Sequence, residues 1–411
     1  MQTLNAISLY TGIGGLDFGF EAAGFRTSVA IELDECACNV LRANRRWPVL
    51  EGDINRFSSR TILRKAGLCA EEADVLIGGP PCQPFSKAGN WKLGNARQML
   101  DPRSETLREY LRVLGDTRPR AFLLENVPGL ALERKSDGLQ YLLKGIDSLN
   151  RSRRTRYRVS IHRVNAAAFG VPQLRERIFL VGFRDGRPFA APGFSHGDEP
   201  IDNVGLAPYV TAWDAIGDLD ESNPKDLGVT GKWGDLLPSI PEGRNYLWHT
   251  RRGGGKSLFG WRTRYWNFLL KLAKNKPSWT ISAQPGPAIG PFHWRNRRLS
   301  VRELCRLQTL PDNLRIECGR VDAQRLIGNA VPSLLAEVFA SAIRDQLLET
   351  FANDRPYKLA IPRRGASPRA GRAREVPAKY LSMVGRHADH PGTGMGRGAQ
   401  LWRSASATSA I

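Results

Sequence analysis

Asp74-Val75-Leu76-Ile77-Gly78-Gly79-Pro80-Pro81-Cys82-Gln83-Pro84-Phe85-Ser86 is a short apolar run driven into a turn of glycines and prolines. Val75 to Ile77 reads as a buried strand, and the residues after it force the chain to turn sharply. One thiol, Cys82, is thereby placed at the mouth of a strand, the geometry that exposes nucleophiles in other α/β enzymes. A cysteine in arbitrary surroundings packs as a small apolar side chain. Cys82, held among prolines next to a Gln and a glycine pair, reads as a nucleophile instead.

Working outward, strands alternate with helices. Ala6 to Tyr10 is a strand, Thr11-Gly12-Ile13-Gly14-Gly15 a glycine turn, and Leu16 to Ala23 a helix ended by Gly24. Thr27 to Ile31 is a second strand closed by Glu32, and Asp34 caps the helix that follows. Val49-Leu50 leads to Gly52-Asp53-Ile54, Ala121 to Leu124 ends at Glu125-Asn126-Val127, and Tyr157–Val164 with Ile178–Gly182 form an outer pair. Such alternation implies a largely parallel sheet with helices on both faces. Glu32 ends its strand about 20 residues after the glycine turn, where a carboxylate can accept hydrogen bonds from ribose hydroxyls. Asp53 ends the third strand and could accept from an adenine amino group. The turn is too short for a Walker loop and no Gly-Lys-Ser/Thr follows, so a nucleoside cofactor without pyrophosphate fits. Tyr10, Glu32, Asp53 and Cys82 all lie at strand carboxyl ends, facing one crevice.

The 411 residues carry a formal net charge of +20, which points to a polyanionic partner, most simply nucleic acid. The six cysteines include no CxxC pair, so neither a zinc framework nor a disulfide scaffold is implied and no metal is expected; a reducing cytoplasm fits. No signal peptide is legible at Met1-Gln2-Thr3-Leu4, and no uninterrupted apolar run approaches membrane-spanning length. After about Arg184 the chain becomes rich in Gly, Pro, Trp and Arg, and seven of the ten tryptophans lie between there and Arg298. We read a second, irregular domain over 184–320, between a catalytic and cofactor-binding domain at 1–183 and its C-terminal return at 321–350. Residues 351–411 are Arg-, Gly-, Ala- and Ser-rich and read as a disordered basic tail that adds nonspecific attraction to phosphates.

The glycine turn, Pro80-Pro81-Cys82-Gln83 and Glu125-Asn126-Val127 occur in the order found in bacterial cytosine-5 DNA methyltransferases, and the chain resembles that family. The likeness continues through Gln173-Leu174-Arg175-Glu176-Arg177, Arg298-Leu299-Ser300-Val301-Arg302-Glu303-Leu304-Cys305-Arg306-Leu307-Gln308 and Gly328-Asn329-Ala330-Val331-Pro332. The resemblance implies a class I S-adenosylmethionine-dependent methyltransferase fold, Rossmann-like, with a smaller irregular target-recognition domain. It implies S-adenosylmethionine held by Tyr10, Gly12, Gly14, Gly15, Glu32, Leu33, Asp53, Ile54, Pro80, Asn329 and Val331. Tyr10 and Thr11 replace the commoner Phe and Ala, and Leu33 stands where an aromatic is frequent.

The resemblance assigns catalysis to Cys82 as nucleophile and Glu125 at ring nitrogen 3, with Arg175 and Arg177 bracing the base and its phosphates. The substrate would be double-stranded DNA, with the target cytosine swung out of the stack. Ser86, Lys87 and Arg97 would lie on a basic loop closing over DNA, and Gln173, Arg251, Arg252, Arg262 and Arg264 would also contact it. A tRNA-methylating branch of the superfamily carries a Cys-Phe-Thr signature that this chain lacks. A monomer is expected; the sequence does not say whether a cognate restriction endonuclease acts on the same site without stable binding.

Overall fold

The computed structural model describes residues 3–81, 105–131, 137–198, 205–219, 227–261, 266–350 and 356–386. Cys82, Ser86, Lys87, Arg97, Arg262 and Arg264 lie outside the described residues.

The strand at the centre of the opening segment is β4 (Val75–Gly78), buried at all four positions, as a parallel strand covered on both faces must be. It lies beside β1 (Leu4–Leu9) in a seven-stranded sheet. β2 (Phe25–Glu32) and β3 (Val49–Glu51) extend the sheet on one side, and β5 (Ala121–Asn126) on the other. These five strands are mutually parallel. β6 (Arg158–Asn165) and β8 (Glu176–Phe183) complete the far edge, with β8 antiparallel to both β5 and β6. The expected outer pair is therefore present, and the order is β3-β2-β1-β4-β5-β8-β6. Successive crossovers leave β1 in opposite directions, to β2 on one side and β4 on the other, which opens a crevice at their carboxyl ends.

Helices α1 (Gly15–Ala22), α2 (Glu35–Asn44), α3 (Ser59–Ala66), α4 (Glu105–Thr117) and α5 (Asp137–Arg153) cover the sheet. Asp34 caps α2 as expected, its Oδ1 accepting from the Ala37 amide at 3.0 Å. β7 (Gln173–Leu174) precedes β8 by a single residue. In the middle of the chain, β9 (His196–Gly197) and β10 (Ala207–Pro208) pair in parallel, and α6 (Ala212–Ile216) follows. β11 (Ser278–Trp279) pairs with β7, so the irregular region is hydrogen-bonded directly to the catalytic sheet's margin. α7 (Val301–Leu307) begins with a Ser300–Glu303 capping box. α8 (Arg320–Asn329) and α9 (Ser333–Leu348) return the chain to the sheet, α9 packing on α1. Gly19 allows this contact, since a Cβ there would lie 2.4 Å from that of Ala336. Residues 320–348 are apolar enough in average composition to cross a membrane, but charged residues interrupt the run, its most apolar window is 83% buried, and the segment is divided at Pro332 into α8 and α9.

Two expectations about organisation change. Ala212, Ala215, Ile216, Leu272, Ile281 and Leu299, all inside the expected middle domain, pack with Ile13, Phe18 and Val40 of the catalytic half. The middle region's own core is formed by Trp233, Leu236, Leu237, Ile240, Tyr246, Leu258, Phe259, Phe268, Leu269 and Phe292. The second change is in the basic tail, which is ordered over 356–386. Tyr357 and Leu359 pack on the α1–α9 core, and the Lys358 and Leu359 amides donate to Glu337 at 2.7 and 2.9 Å. The chain then crosses to the middle region, where α10 (Ala378–Leu381) inserts Tyr380 into the core. The Tyr380 ring stacks on Trp233 at 5.7 Å and 14°. Low average hydrophobicity concealed the apolar anchors Tyr357, Leu359, Ile361, Val376, Tyr380 and Met383, spaced along a polar strap.

Candidate active site

The cofactor half of the site is built from the turns after β1, β2 and β3. Gly12 adopts φ 55°, and a Cβ there would meet nothing within 4 Å. Its amide donates to Glu32 Oε2 at 2.7 Å, while Glu32 Oε1 accepts from the Leu33 and Asp34 amides at 2.9 and 2.8 Å. The carboxylate thus staples the glycine turn to the end of β2. Burial raises its pKa against the opposing pull of these bonds. The Gly52 amide donates to the Glu32 carbonyl at 2.8 Å, bringing Asp53 to the same rim. Asp53 Oδ1 accepts from the Asn55 amide and side chain, both at 2.9 Å. Ile54 is buried behind it and Leu33 is 68% exposed beside it. Tyr10 donates its hydroxyl to the Thr106 carbonyl at 2.7 Å, fixing the ring at the end of β1.

The far end of the sequence closes this crevice. A Cβ on Gly15 would lie 2.4 Å from the Val331 carbonyl, so only glycine admits the segment after α8. Asn329 is exposed and Val331 buried there. Arg325 pairs with Asp34 at 2.6 Å, tying α8 to the cap of α2. Open space over Gly12, the Glu32 carboxylate and Asp53 Oδ2 form a cradle whose acceptors suit a nucleoside, so the residues fit the cofactor expected of them.

The catalytic half lies at the ends of β4 and β5. Glu125 Oε1 is 2.7 Å from Arg177 Nε, both side chains being about nine-tenths buried. Glu125 Oε2 lies 3.0 Å from where a Gly79 Cβ would stand, directly beneath the turn that leads to Cys82. Burial raises the pKa of Glu125, opposed by the charges of Arg177 and Arg175. Asn126, which the sequence reading gave no role, donates through Nδ2 to the Pro80 carbonyl at 3.3 Å and accepts the Val127 amide at 2.8 Å. It pins Pro80, at the end of the described turn, to β5. Its position beside Glu125 in the Glu-Asn-Val run was the signal available.

Two expected ligand contacts are corrected. Arg175 is 1% exposed. Its Nη2 donates to the Gly328 and Ala330 carbonyls at 2.6 and 3.1 Å, and its Nη1 to Gln173 Oε1 and the Ile281 carbonyl, both at 3.4 Å. Arg175 fastens the α8–α9 segment to β7 through both terminal nitrogens, and its side chain is closed off from the surface. Gln173, expected on DNA, is fully buried, bridging the Leu307 carbonyl and Gln308 Oε1 at 3.1 and 3.0 Å. Gln308 in turn donates to the Ile327 carbonyl at 2.7 Å. The Arg298–Gln308 motif and the Gln173–Arg177 motif thus meet in one internal lock. Arg251 and Arg252 are exposed on the middle region, Arg252 lying 4.8 Å over the Trp261 ring.

With this geometry in view, the model of the C-5 cytosine-specific DNA methylase family matches residues 4–345. The Type II methyltransferase M.SacI of Streptomyces achromogenes is 37% identical over 84% of this chain and 93% of its own length. The Type II methyltransferase M.AquIA of Picosynechococcus is 43% identical over 53% of this chain and 90% of its own. The Entamoeba histolytica methyltransferase EhMeth superposes with a TM-score of 0.58, covering 84% of this chain and 99% of that one; at 15% identity this is a likeness of fold alone.

Proposed function

This chain belongs to the C-5 cytosine-specific DNA methylase family, and on that premise we propose that it methylates one cytosine of a defined duplex sequence through a covalent cysteine adduct. It is a DNA (cytosine-5-)-methyltransferase of the Type II kind, with S-adenosylmethionine as methyl donor and DNA as substrate. The observation that carries the finer reading is the placement of Glu125, held by Arg177 at 2.7 Å and buried beneath the turn that runs into Cys82.

Carbon 5 of cytosine is a poor nucleophile because the ring is electron-deficient. Addition of the Cys82 thiolate at carbon 6 makes the ring an enamine, nucleophilic at carbon 5. Negative charge then gathers at nitrogen 3. Glu125, kept protonated to higher pH by burial, donates there. Arg177 holds Oε1, which leaves Oε2 to turn toward the base. Bound S-adenosylmethionine supplies the electrophilic methyl group. Glu32 and Asp53 orient its ribose and adenine, and Tyr10, Gly12, Gly14, Gly15, Leu33, Ile54, Pro80, Asn329 and Val331 line the pocket around it. Loss of the carbon 5 proton then expels Cys82.

A cytosine in duplex DNA cannot reach this site while stacked, so the base is flipped out. Ser86, Lys87 and Arg97 close over the strand, and Arg251, Arg252, Arg262 and Arg264 contact the duplex. The protein acts as a cytoplasmic monomer in a restriction-modification system, protecting DNA from an endonuclease of the same specificity.

Duplex DNA carrying 5-fluorocytosine tests the mechanism, because carbon 5 then has no proton to lose. Denaturing electrophoresis should show a cofactor-dependent shifted band for the native chain and none for Cys82→Ser. A serine variant that turns over at a comparable rate would remove Cys82 from the mechanism. Labelled methyl should pass to duplex DNA and not to tRNA.

A further inference from the structure

Three tryptophans of the middle region escape its core. Trp261, Trp266 and Trp279 are 41%, 40% and 40% exposed, and all three line one cleft of about 610 Å³. Indole surface left in water at one place on a molecule marks a binding site more often than chance. The cleft is built as well as exposed. Trp266 and Trp279 pack ring to ring at 5.0 Å. Trp248 also lines the cleft, seated against a glycine run; a Cβ on Gly254 would lie 2.3 Å from its ring. Arg252 stacks over Trp261 at 4.8 Å and Arg244 stands on the rim. None of the described residues lining the cleft is acidic.

The cleft is also joined to the catalytic edge. Trp279 is in register with Leu174, whose carbonyl accepts from the Thr280 hydroxyl at 2.7 Å. Leu174 in β7 is separated by one residue from β8, which carries Arg177. Flat aromatic walls, cationic guanidiniums and a hydrogen-bonded link to the catalytic edge suit a planar ligand attached to phosphates.

Resting on the reading that this chain binds and flips duplex DNA, we propose that the Trp261–Trp266–Trp279 cleft takes a second unstacked base of the same duplex. Removing the target cytosine leaves its partner unpaired, and an unpaired base is the cheapest to unstack. The indoles stack on that base whatever its identity, since every base has a π face, while Arg244 and Arg252 take adjoining phosphates. The cleft therefore stabilises the opened duplex, and the sequence is read elsewhere on the middle region.

The test uses the full chain and a duplex containing the methylation site, located first by bisulfite mapping. Trp266→Ala should weaken duplex binding about 5- to 150-fold, the alanine cost of one base–aromatic stack. Its S-adenosylmethionine affinity and salt slope should match the native chain, and Trp266→Phe should recover most of the loss. Arg252→Ala should instead lower the salt slope by about 1. Binding is then repeated on duplexes with an abasic site moved position by position. The Trp266→Ala penalty should vanish at one position, because the stacked base is then already missing. Native-like duplex affinity in Trp266→Ala, or a penalty equal on every abasic duplex, would overturn the proposal while methyl transfer by the native chain stood. A native chain that transfers no methyl group to the duplex would overturn the functional reading on which the proposal rests.

Discussion

Arg175 separates what the sequence implied from what the fold does, and its replacement gives opposite results in the two cases. Arg175→Ala removes the bonds to the Gly328 and Ala330 carbonyls at 2.6 and 3.1 Å and leaves both acceptors without that donor. A hydrogen bond to a charged group contributes about 1.5–3 kcal/mol, so the two short bonds together come to roughly 3–6 kcal/mol. That is a large part of the about 5–15 kcal/mol by which a folded domain is stable. The loss falls on the segment leading to Asn329 and Val331, whose carbonyl rests on Gly15, so S-adenosylmethionine binding should weaken as well. Arg175→Lys keeps the charge but not the fork, and should fall between native and alanine. Urea titration of each variant, with calorimetric titration of the cofactor, reads both effects. Arg177→Ala is the control. It should leave cofactor affinity near native and depress the rate of methyl transfer, because its partner is Glu125. An Arg175→Ala chain within about 1 kcal/mol of native stability, with intact cofactor binding and lost turnover, would put Arg175 back on the base and refute this reasoning.

Methyl transfer in single turnover should fall as pH rises through the raised pKa of Glu125, since the protonated carboxyl is the donor; Glu125→Gln should be slow and lack that limb, and an unchanged limb would assign it to another group. Asp53→Ala should cost about 1–3 kcal/mol, or roughly 5- to 150-fold, in S-adenosylmethionine affinity by calorimetry, and native affinity would place the adenine elsewhere. Tyr380→Ala should destabilise the middle region by about 3–5 kcal/mol, the usual range for a buried aromatic. Limited proteolysis should then cut within 227–297 first, and native-like resistance there would show that the strap contributes nothing to that core.

The parts of the fold that were legible are those where one chemical signal forces one geometry. Val75 to Ile77 read as a buried strand, Gly12 and Gly14 as a turn, and Asp34 as a cap, and the fold has each of them there. Glu125 was legible as a strand-end acid, but its bond to Arg177 was not, because the two residues are 52 positions apart in sequence and meet only when β8 runs antiparallel to β5. The misplacement of Arg175 has a local cause. A spacing of two residues puts Arg175 and Arg177 on one side of a continuous strand, yet the strand breaks between β7 and β8 at residue 175 itself. The alternation does not cross that break, and the guanidinium turns inward to the α8–α9 carbonyls. Gln173 illustrates the same difficulty: its polar amide was expected on DNA and is used up inside the protein, against Gln308 and the Leu307 carbonyl.

The strap shows how composition misleads when charges are counted without their partners. Residues 356–386 are strongly basic, which suggested a tail attracted to phosphates. In the fold, Arg363 pairs with Asp214 at 3.2 Å and Arg364 with Asp218 at 2.9 Å, while Lys379 pairs with Asp235. The Gly371 amide donates to Glu242 at 3.0 Å, beside the Lys274–Glu242 ion pair. Asp214 and Asp218 lie on or just after α6, and Asp235 lies within the middle region itself; each is paired with a cation of the strap. Exposed pairs such as Lys379–Asp235 contribute little one at a time, about 0–1 kcal/mol each; together with the buried Tyr380 they tie the strap to the middle region. The strap lies beyond residue 345, where the family match ends, yet the middle region's core is incomplete without it. Arg369, Arg372, Arg374 and Arg386 of the strap are exposed, so the ordered strap still presents positive charge to solvent, as the exposed Arg251 and Arg252 do on the middle region.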